Sequence, residues 1–478
     1  MHTNTDFISL GRRFPPLDDD KRLEKYSHNE KMFNGDHASV FPLHEELIRV
    51  TRGDVKTHEL LLNWFERMTT LWADLLLGET PVVTEANGNE EITQEINDLL
   101  AETQFWRKAY QAAMDASTFG DAVIKVRRDD KGKVKVSLFK PCFWFPVVSE
   151  SDAEEITAHV LAWKSANCDD PDPEEQQKPK YLYVEIHTAD SIEYRTYLLQ
   201  SAGGVVSSSI STLAGDIVTE INPIGENLVT HIANLQRSGC IFGIDDYGRI
   251  ASIIDELEVR FAQNAYILDK HGSPKMYGPT PEFEFDAEGK PVQIKAGDYW
   301  EIPNETKIVP TYITWDGKLD ASFTQIEKLM QQLYTLSETT QSMFDDSKTG
   351  ANESGTAIRK HLMLPLAKVN RTRINFDAGL KEVIHKLYKL ETGKDIQVNF
   401  QWMDGLPDDE TEELTNAVKA VDTGLVSKKT ARMKLYNMNN EQADAEAAQI
   451  ESEEYSVQPP VLHTEHAENT EPQNGGEE

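Results

Sequence analysis

Apolar residues recur at three- and four-residue intervals over residues 44–76, where Leu47, Leu60, Leu61, Trp64, Met68 and Leu71 fall on the repeat, and this spacing predicts helices. The same rhythm runs from about Glu91 to Ser117 through Ile92, Ile96, Leu99, Phe105, Trp106, Tyr110 and Ala113, predicting one long helix that Gly120 ends. The period then drops to two. Val123, Lys125 and Val126 on one side of Asp129-Asp130-Lys131-Gly132, and Val134, Val136 and Leu138 on the other, predict a hairpin. More strands are expected around 157–164, 181–188, 192–199 and 203–207, with a polar, Pro-interrupted loop over 165–180. The first 240 residues therefore read as an α+β body.

The middle of the chain has a different pattern. Asp245 to Lys270 predicts one helix, with Ile250, Ile253, Ile254, Leu257, Phe261, Ala265 and Leu268 along it and Gly272-Ser273-Pro274 stopping it. A β-rich insert is expected over about 275–318, with strands at Glu282–Phe285, Pro291–Ile294, Tyr299–Ile302 and Ile308–Ile313. A second long helix, about Ala321 to Phe344, keeps the three-four spacing through Ile326, Leu329, Met330, Leu333, Leu336 and Met343. Two helices that bracket a small β module suggest an antiparallel pair with the module at its far end. A polar loop, Asp345-Asp346-Ser347-Lys348-Thr349-Gly350-Ala351-Asn352-Glu353-Ser354-Gly355, leads to a third long helix over about Thr356 to Glu391. Pro365 lies inside that helix and is expected to kink it, because it removes a backbone donor.

Charge changes the picture. The chain of 478 residues carries 48 Lys and Arg against 81 Asp and Glu, a net charge of −33. A surface this acidic repels phosphate, which excludes tight, sequence-reading nucleic-acid binding by the chain as a whole. The third helix is the exception. Between Gly355 and Leu390 stand eight basic residues, Arg359, Lys360, Lys368, Arg371, Arg373, Lys381, Lys386 and Lys389, against two acids, Asp377 and Glu382. They predict either a solvated face or pairing with acidic neighbours, or else light contact with a polyanion or an acidic neighbouring subunit. From Glu441 to Glu478 there are eleven acidic residues and no Lys or Arg, and the stretch beyond about Glu454 reads as a disordered tail. No run of apolar residues is long enough to span a membrane. Three widely spaced cysteines, Cys142, Cys168 and Cys240, fit a reducing compartment and neither a disulfide framework nor a zinc site.

Catalytic motifs are missing. Gly350 to Gly355 lacks the Lys-Ser/Thr of a phosphate-binding loop, and GxSxG, HExxH and GxGxxG do not occur. The thirteen histidines are scattered, no cofactor is implied, and the acidic clusters Asp18-Asp19-Asp20 and Asp169-Asp170 fit solvated loops better than metal ligands. Residues 408–436 could pass for a DNA-reading helix-turn-helix, with Ser427 capping a helix that carries Lys428, Lys429, Arg432 and Lys434, but five acids from Asp408 to Glu413 flank it.

The order of these elements resembles the portal proteins of tailed bacteriophages, above all those of long-tailed phages of Gram-positive hosts. Three stretches carry the likeness: Ser354-Gly355-Thr356-Ala357-Ile358-Arg359, then Val398-Asn399-Phe400-Gln401-Trp402-Met403-Asp404-Gly405-Leu406-Pro407, and Gly424-Leu425-Val426-Ser427-Lys428-Lys429-Thr430-Ala431. The resemblance implies an elongated α+β subunit that is not an enzyme. Its parts would be an α+β wing (1–240, with 394–407 as a wing strand), two stem helices (241–270 and 319–344) and a small β-rich clip (271–318). A tunnel loop (345–355), a kinked tunnel helix returning to the wing (356–393), a helical crown (408–455) and an acidic tail (456–478) would complete it. It implies a homo-oligomeric ring, usually a dodecamer, at one capsid vertex of the virion, assembled in the host cytoplasm. Double-stranded DNA would be packaged and ejected through the ring without sequence preference. Terminase, a head-completion adaptor, capsid and scaffold proteins are the implied partners. The tunnel loop Asp345, Asp346, Ser347, Lys348, Thr349, Gly350, Ala351, Asn352, Glu353, Ser354 and Gly355 would line the channel. Arg359, Lys360 and Lys368 would supply channel-facing or intersubunit charge. Another ring-forming virion connector, a metal-dependent nuclease using an acidic pair, and a DNA-binding regulator built on 408–436 are the competing classes.

Overall fold

Between residues 144 and 221 neighbouring strands pair antiparallel into one sheet, and along 181–186 buried Leu182, Val184 and Ile186 alternate with Tyr181, Tyr183 and Glu185, which are less buried. In the computed structural model, which describes residues 1–50, 60–166, 179–201, 208–272, 276–279, 288, 299–302, 311–312, 319–344, 362–403, 410–436 and 438–456, this sheet has seven strands. They run in the order β1 (Arg13–Phe14), β9 (Ser208–Leu213), β8 (Ser191–Ser201), β7 (Pro179–His187), β6 (Ile156–Ala166) and β5 (Trp144–Val148), with β10 (Val218–Ile221) pairing on β8. One face buries Val160, Leu182, Val184 and Ile210 against Ile8 and Phe14 of the N-terminal segment. The chain divides into two units, Met1–Leu406 and Pro407–Glu478.

The core of the first unit sits on a second, three-stranded sheet, β11 (Val229–Ala233), β3 (Asp121–Arg128) and β4 (Val134–Phe139). The expected β3–β4 hairpin is present: Arg128 faces Val134, and Asp129 Oδ1 accepts the backbone N–H groups of Lys131 and Lys133. Helices α3 (Trp64–Leu77), α4 (Glu90–Glu102), α5 (Phe105–Phe119) and α8 (Met363–Thr392) supply Met68, Ile96, Phe105, Phe376, Leu380, Val383 and Leu387 to this core. Where α5 ends, Gly120 (φ +93°) passes so close to Gly243 that a Cβ on Gly120 would lie 2.6 Å from the Gly243 carbonyl oxygen, and one on Gly243 would overlap that of Gly120.

Several expectations are corrected. The predicted 91–117 helix is two: Asn89 caps α4 by accepting from the N–H groups of Glu91 and Ile92, and Gln104, in the left-handed region (φ 52°), separates α4 from α5. The break resets the helical phase, so that Phe105, Ala109, Ala112 and Ala116 are buried where a continuous helix would turn them away. Leu60 and Leu61 precede α3 and are about half exposed. The first long central helix, α6 (Ala251–Gly272), starts six residues late because Asp245 Oδ1 accepts from the N–H groups of Tyr247 and Gly248, holding a turn. The second, α7 (Asp320–Leu336), stops early. Ser337 Oγ donates to the Leu333 carbonyl, Glu338 takes a left-handed conformation (φ 59°), and the chain turns to place Phe344 against Trp64, with ring centroids 4.7 Å apart.

The helices α6 and α7 pack on each other, and Ser322 Oγ donates to Asn264 Oδ1 across the pair at 2.8 Å. Of the insert, β12 (Met276–Pro279) is described between β13 (Tyr299–Ile302), parallel to it, and β14 (Thr311–Tyr312), antiparallel. The strands expected at 282–285 and 291–294 lie outside the described residues, as does the tail beyond residue 456. Several strands escaped the sequence reading: β1, β5, β10, β11, β12 and β2 (Val82–Glu85), which pairs antiparallel with β15 (Val398–Gln401). Helix α1 (Asp20–Phe33) orders much of the first forty residues, and α2 (Pro42–Val50) follows. The second unit holds α9 (Glu410–Asp422), α10 (Lys428–Leu435), whose Ser427 cap accepts from the N–H of Thr430, and α11 (Asn440–Ser456). Among the described residues no helix is long and apolar enough to cross a membrane.

Candidate functional site

The loop from Asp345 to Gly355, with Arg359 and Lys360, lies outside the described residues. Its two flanks are described. On the near side Phe344 is stacked at 6.1 Å on Tyr334 and tilted against Trp64. On the far side α8 begins at Met363, so Pro365 occupies its first turn. Within the described helix no intrahelical backbone donor is lost there, and residues 356–361, on which the expected kink also depends, lie outside the described residues.

Among the described residues the lysines of the basic helix, and Arg371, are paired with carboxylates of their own chain. Lys368, expected as channel-facing or intersubunit charge, is instead 8% exposed. Its ammonium donates to Asp246 Oδ2 at 2.6 Å and lies 3.9 Å from the ring centre of Trp72. Burial depresses its pKa, against the pull of the Asp246 carboxylate. Asp246 also accepts from Ser117 Oγ at 2.7 Å and Asn234 Nδ2 at 3.1 Å. Three residues further on, Arg371 grips both oxygens of Glu338 at 2.6 Å. Lys381 pairs with Asp377 at 2.7 Å. Lys386, 3% exposed, pairs with Glu382 and donates to Thr230 Oγ1 at 2.9 Å. Arg373 donates to the Met403 carbonyl and lies over Trp402.

At the C-terminal end of α8, Lys389 joins Glu226 (2.5 Å) to Asp395 (2.7 Å), with His385 Nε2 3.2 Å from the same Glu226 oxygen. The hydrogen bond to Asp395, then that to Glu226, raises the lysine pKa, and the Lys389 contact lowers that of Asp395. Glu226, Asp395 and His385 are close enough together to ligate a metal ion. The ammonium of Lys389 already sits between the two carboxylates, which supplies their counter-charge and argues against a cation there. Of the two sequence readings of this helix, pairing with acidic neighbours accounts for all of its described lysines and for Arg371. Sequence spacing could signal only the Lys381–Asp377 and Lys386–Glu382 pairs at i, i+4. Asp246, Glu338 and Glu226 lie on distant segments, and Asp395 lies six residues beyond Lys389.

Comparison with known proteins completes the assignment. No curated protein sequence matches the chain. Among solved structures the fold is similar to a chain described as "Neck of native GTA particle computed with C12 symmetry", with 11% identity and a TM-score of 0.41, over 89% of this chain and 96% of that one. A second, "Virion of native gene transfer agent (GTA) particle", matches over the same shares with 11% identity and a TM-score of 0.37. The family model described as "Phage portal protein, SPP1 Gp6-like" matches residues 17–201 and 310–459, well over half of the chain. These two blocks contain the long antiparallel sheet up to β8, the β3–β4 hairpin, helices α3–α5, α7, α8 and the C-terminal helices, and the chain therefore belongs to the phage portal proteins of the SPP1 Gp6-like family.

Proposed function

We propose that copies of this chain, twelve in the simplest case, close into a ring at one vertex of a capsid, and that double-stranded DNA passes through the ring's axis in packaging and in ejection. The observation that carries this reading is the family match on both sides of the central insert. In it, residues 1–240 and 394–407 form the wing, 241–270 and 319–344 the stem, and 271–318 the clip, which docks terminase and later the head-tail adaptor. Residues 345–355 line the channel, 356–393 return to the wing, 408–455 form the crown, and 456–478 trail as a tail. Assembly takes place in the host cytoplasm, with scaffold and capsid proteins as further partners. The ring performs no catalysis of its own.

The electrostatics support a conduit over a clamp. A chain of net charge −33, in which the described lysines of α8 and Arg371 are paired with its own carboxylates, offers phosphate a repelling wall with few places to stick. DNA sliding past such a wall is held by shape and confinement, and the packaging motor does not have to break strong contacts at every step. Single-particle electron microscopy of the purified protein, with its solution mass, tests the proposal. Twelve copies of 54.0 kDa predict rings of about 650 kDa with an open axial channel. A monomer or dimer at every concentration, with and without scaffold, overturns it.

A further inference from the structure

Trp144 is wholly buried where the long sheet meets the three-stranded one. It lies on β5, and with Val148 and Leu161 of the long sheet it packs against Val123 of β3, Val229 of β11 and Ile241. Its indole stacks on His231 of β11, with ring centroids 4.3 Å apart. Its one polar side-chain atom, Nε1, donates to His159 Nδ1 of β6 at 3.0 Å. The two sheets therefore meet on this ring, and its hydrogen bond fixes the state of His159. An indole N–H can only donate, so His159 Nδ1 accepts and carries no proton, and the imidazole is the neutral Nε2–H tautomer.

A second proton would have to go on Nδ1, the atom that holds the indole. Two N–H groups would then face each other with no acceptor between them. The surroundings offer the new charge nothing. His159 is 5% exposed, and His187 stands directly opposite it across the β6–β7 pair. The other groups whose charge reaches it are Lys386 of α8 and His231 of β11. The carboxylates that touch these groups are already engaged. Glu185 takes Lys125 of β3 at 2.6 Å and His187 at 3.0 Å, and Glu382 pairs with Lys386. Asp121 accepts from Tyr26 and the Gly243 N–H and lies 2.7 Å from His231 Nε2. Burial, then Lys386 and the two histidines, hold the His159 pKa well below the ordinary histidine value. Burial also lowers that of His187, against the pull of Glu185.

We propose that the Trp144–His159 hydrogen bond is an acid-released latch between the two sheets. At neutral pH the unprotonated Nδ1 holds the indole. As pH falls below about 6.5, the ordinary histidine value, the open seam binds a second proton that the closed seam refuses. The Trp144 N–H then loses its acceptor and the sheets part at this ring. The long sheet keeps its other core, around Val160, Val184 and Ile210. The sign is that of a histidine whose closed-state pKa is depressed: its contribution is complete above about 6.5 and declines in acid. The latch belongs to a single chain and does not depend on ring formation.

Amide hydrogen exchange on the full-length chain, read by mass spectrometry at pH 7.5 and 5.5 and corrected for intrinsic rates, tests the latch. A histidine that regains its ordinary pKa on release favours the open seam about tenfold at pH 5.5. Exchange over 144–148, 156–161 and 229–233 should therefore rise about tenfold, while α3 keeps its protection. His159→Asn keeps an acceptor for the indole and cannot be protonated in this range. Its exchange should match the unaltered chain at pH 7.5 and stay there at pH 5.5, whereas His187→Asn should leave the response in place. Three results would overturn the latch: unchanged protection of the unaltered chain in acid, a response that persists in His159→Asn or vanishes in His187→Asn, or an even loss of protection across the first unit. Exchange of the His159 C2 hydrogen in the unaltered chain gives a second reading that needs no variant. A titration midpoint below the ordinary histidine value supports the latch, and one at about 6.5 or above sinks it.

Discussion

Lys368 and Asp246 stand 122 positions apart in sequence and 2.6 Å apart in the fold, both nearly closed off from water. The pair ties the segment just before α6 to the start of α8. Removing one partner leaves a buried charge unanswered, so Lys368→Met should cost about 3–5 kcal/mol. Adding Asp246→Asn to it should recover much of the loss, because the charge and its counter-charge then go together. Unfolding midpoints around the double-mutant cycle measure the coupling, and additive losses would mean that the pair does not act as one.

The backbone contact between Gly120 and Gly243 leaves no room for a methyl group on either side. Gly243→Ala has to push apart the end of α5 and the strand connection that crosses it. The expected cost is on the order of 1–3 kcal/mol, visible as a lower unfolding midpoint and a lower soluble yield. A neutral substitution would show that the connection moves freely there.

Asp115 gives the fold a dependence on pH. Burial pushes its carboxyl up to about 7, with Lys140 pulling it back and Glu30 adding to the rise. A carboxyl whose folded pKa is raised binds its proton more tightly in the folded chain than in the unfolded one. Stability from this group is therefore present at low pH and falls as pH rises from the ordinary carboxylate range through about 7. Asp115→Asn should remove that slope and make the protein more resistant to heat at pH 8 than the unaltered chain. Equal slopes for both proteins between pH 5 and 8 would contradict the assignment.

In the portal reading, replacing Lys348 or shortening 347–354 should impair DNA packaging while rings still form. Packaging measured in vitro beside the mass of the assembled ring separates the two effects. Loss of the ring itself would refute the placement of this segment in the channel.

The parts of the fold that were legible in sequence are those set by neighbours along the chain. The Asp129–Gly132 hairpin follows from turn chemistry, and the Ser427 cap from a hydroxyl placed three residues before the N–H that it accepts. What was not legible depends on segments that meet only after folding. The break at Gln104 has no glycine or proline to announce it, and Asp246, Glu338 and Glu226, which pair with Lys368, Arg371 and Lys389, lie on distant segments. The excess of positive charge on α8 looked like an invitation to a polyanion because those acids are invisible in a local window. The channel segment was named from the ordered likeness to a family, and its flanks, Phe344 and Met363, mark where the described fold hands over to it.

The pairing of Val82–Glu85 with Val398–Gln401 has a consequence for how the protein is made. The later strand leaves the ribosome roughly 310 residues after the earlier one, a wait of about 15–60 s at ordinary rates of synthesis. Throughout that interval Val83, buried in the finished protein, lacks its partner strand. The subunit is thus unfinished until nearly the whole first unit has been translated. A chain cut short anywhere before residue 398 would leave a four-residue edge open to any strand that came by, so quality control acting on nascent chains has one late, all-or-none event to recognise.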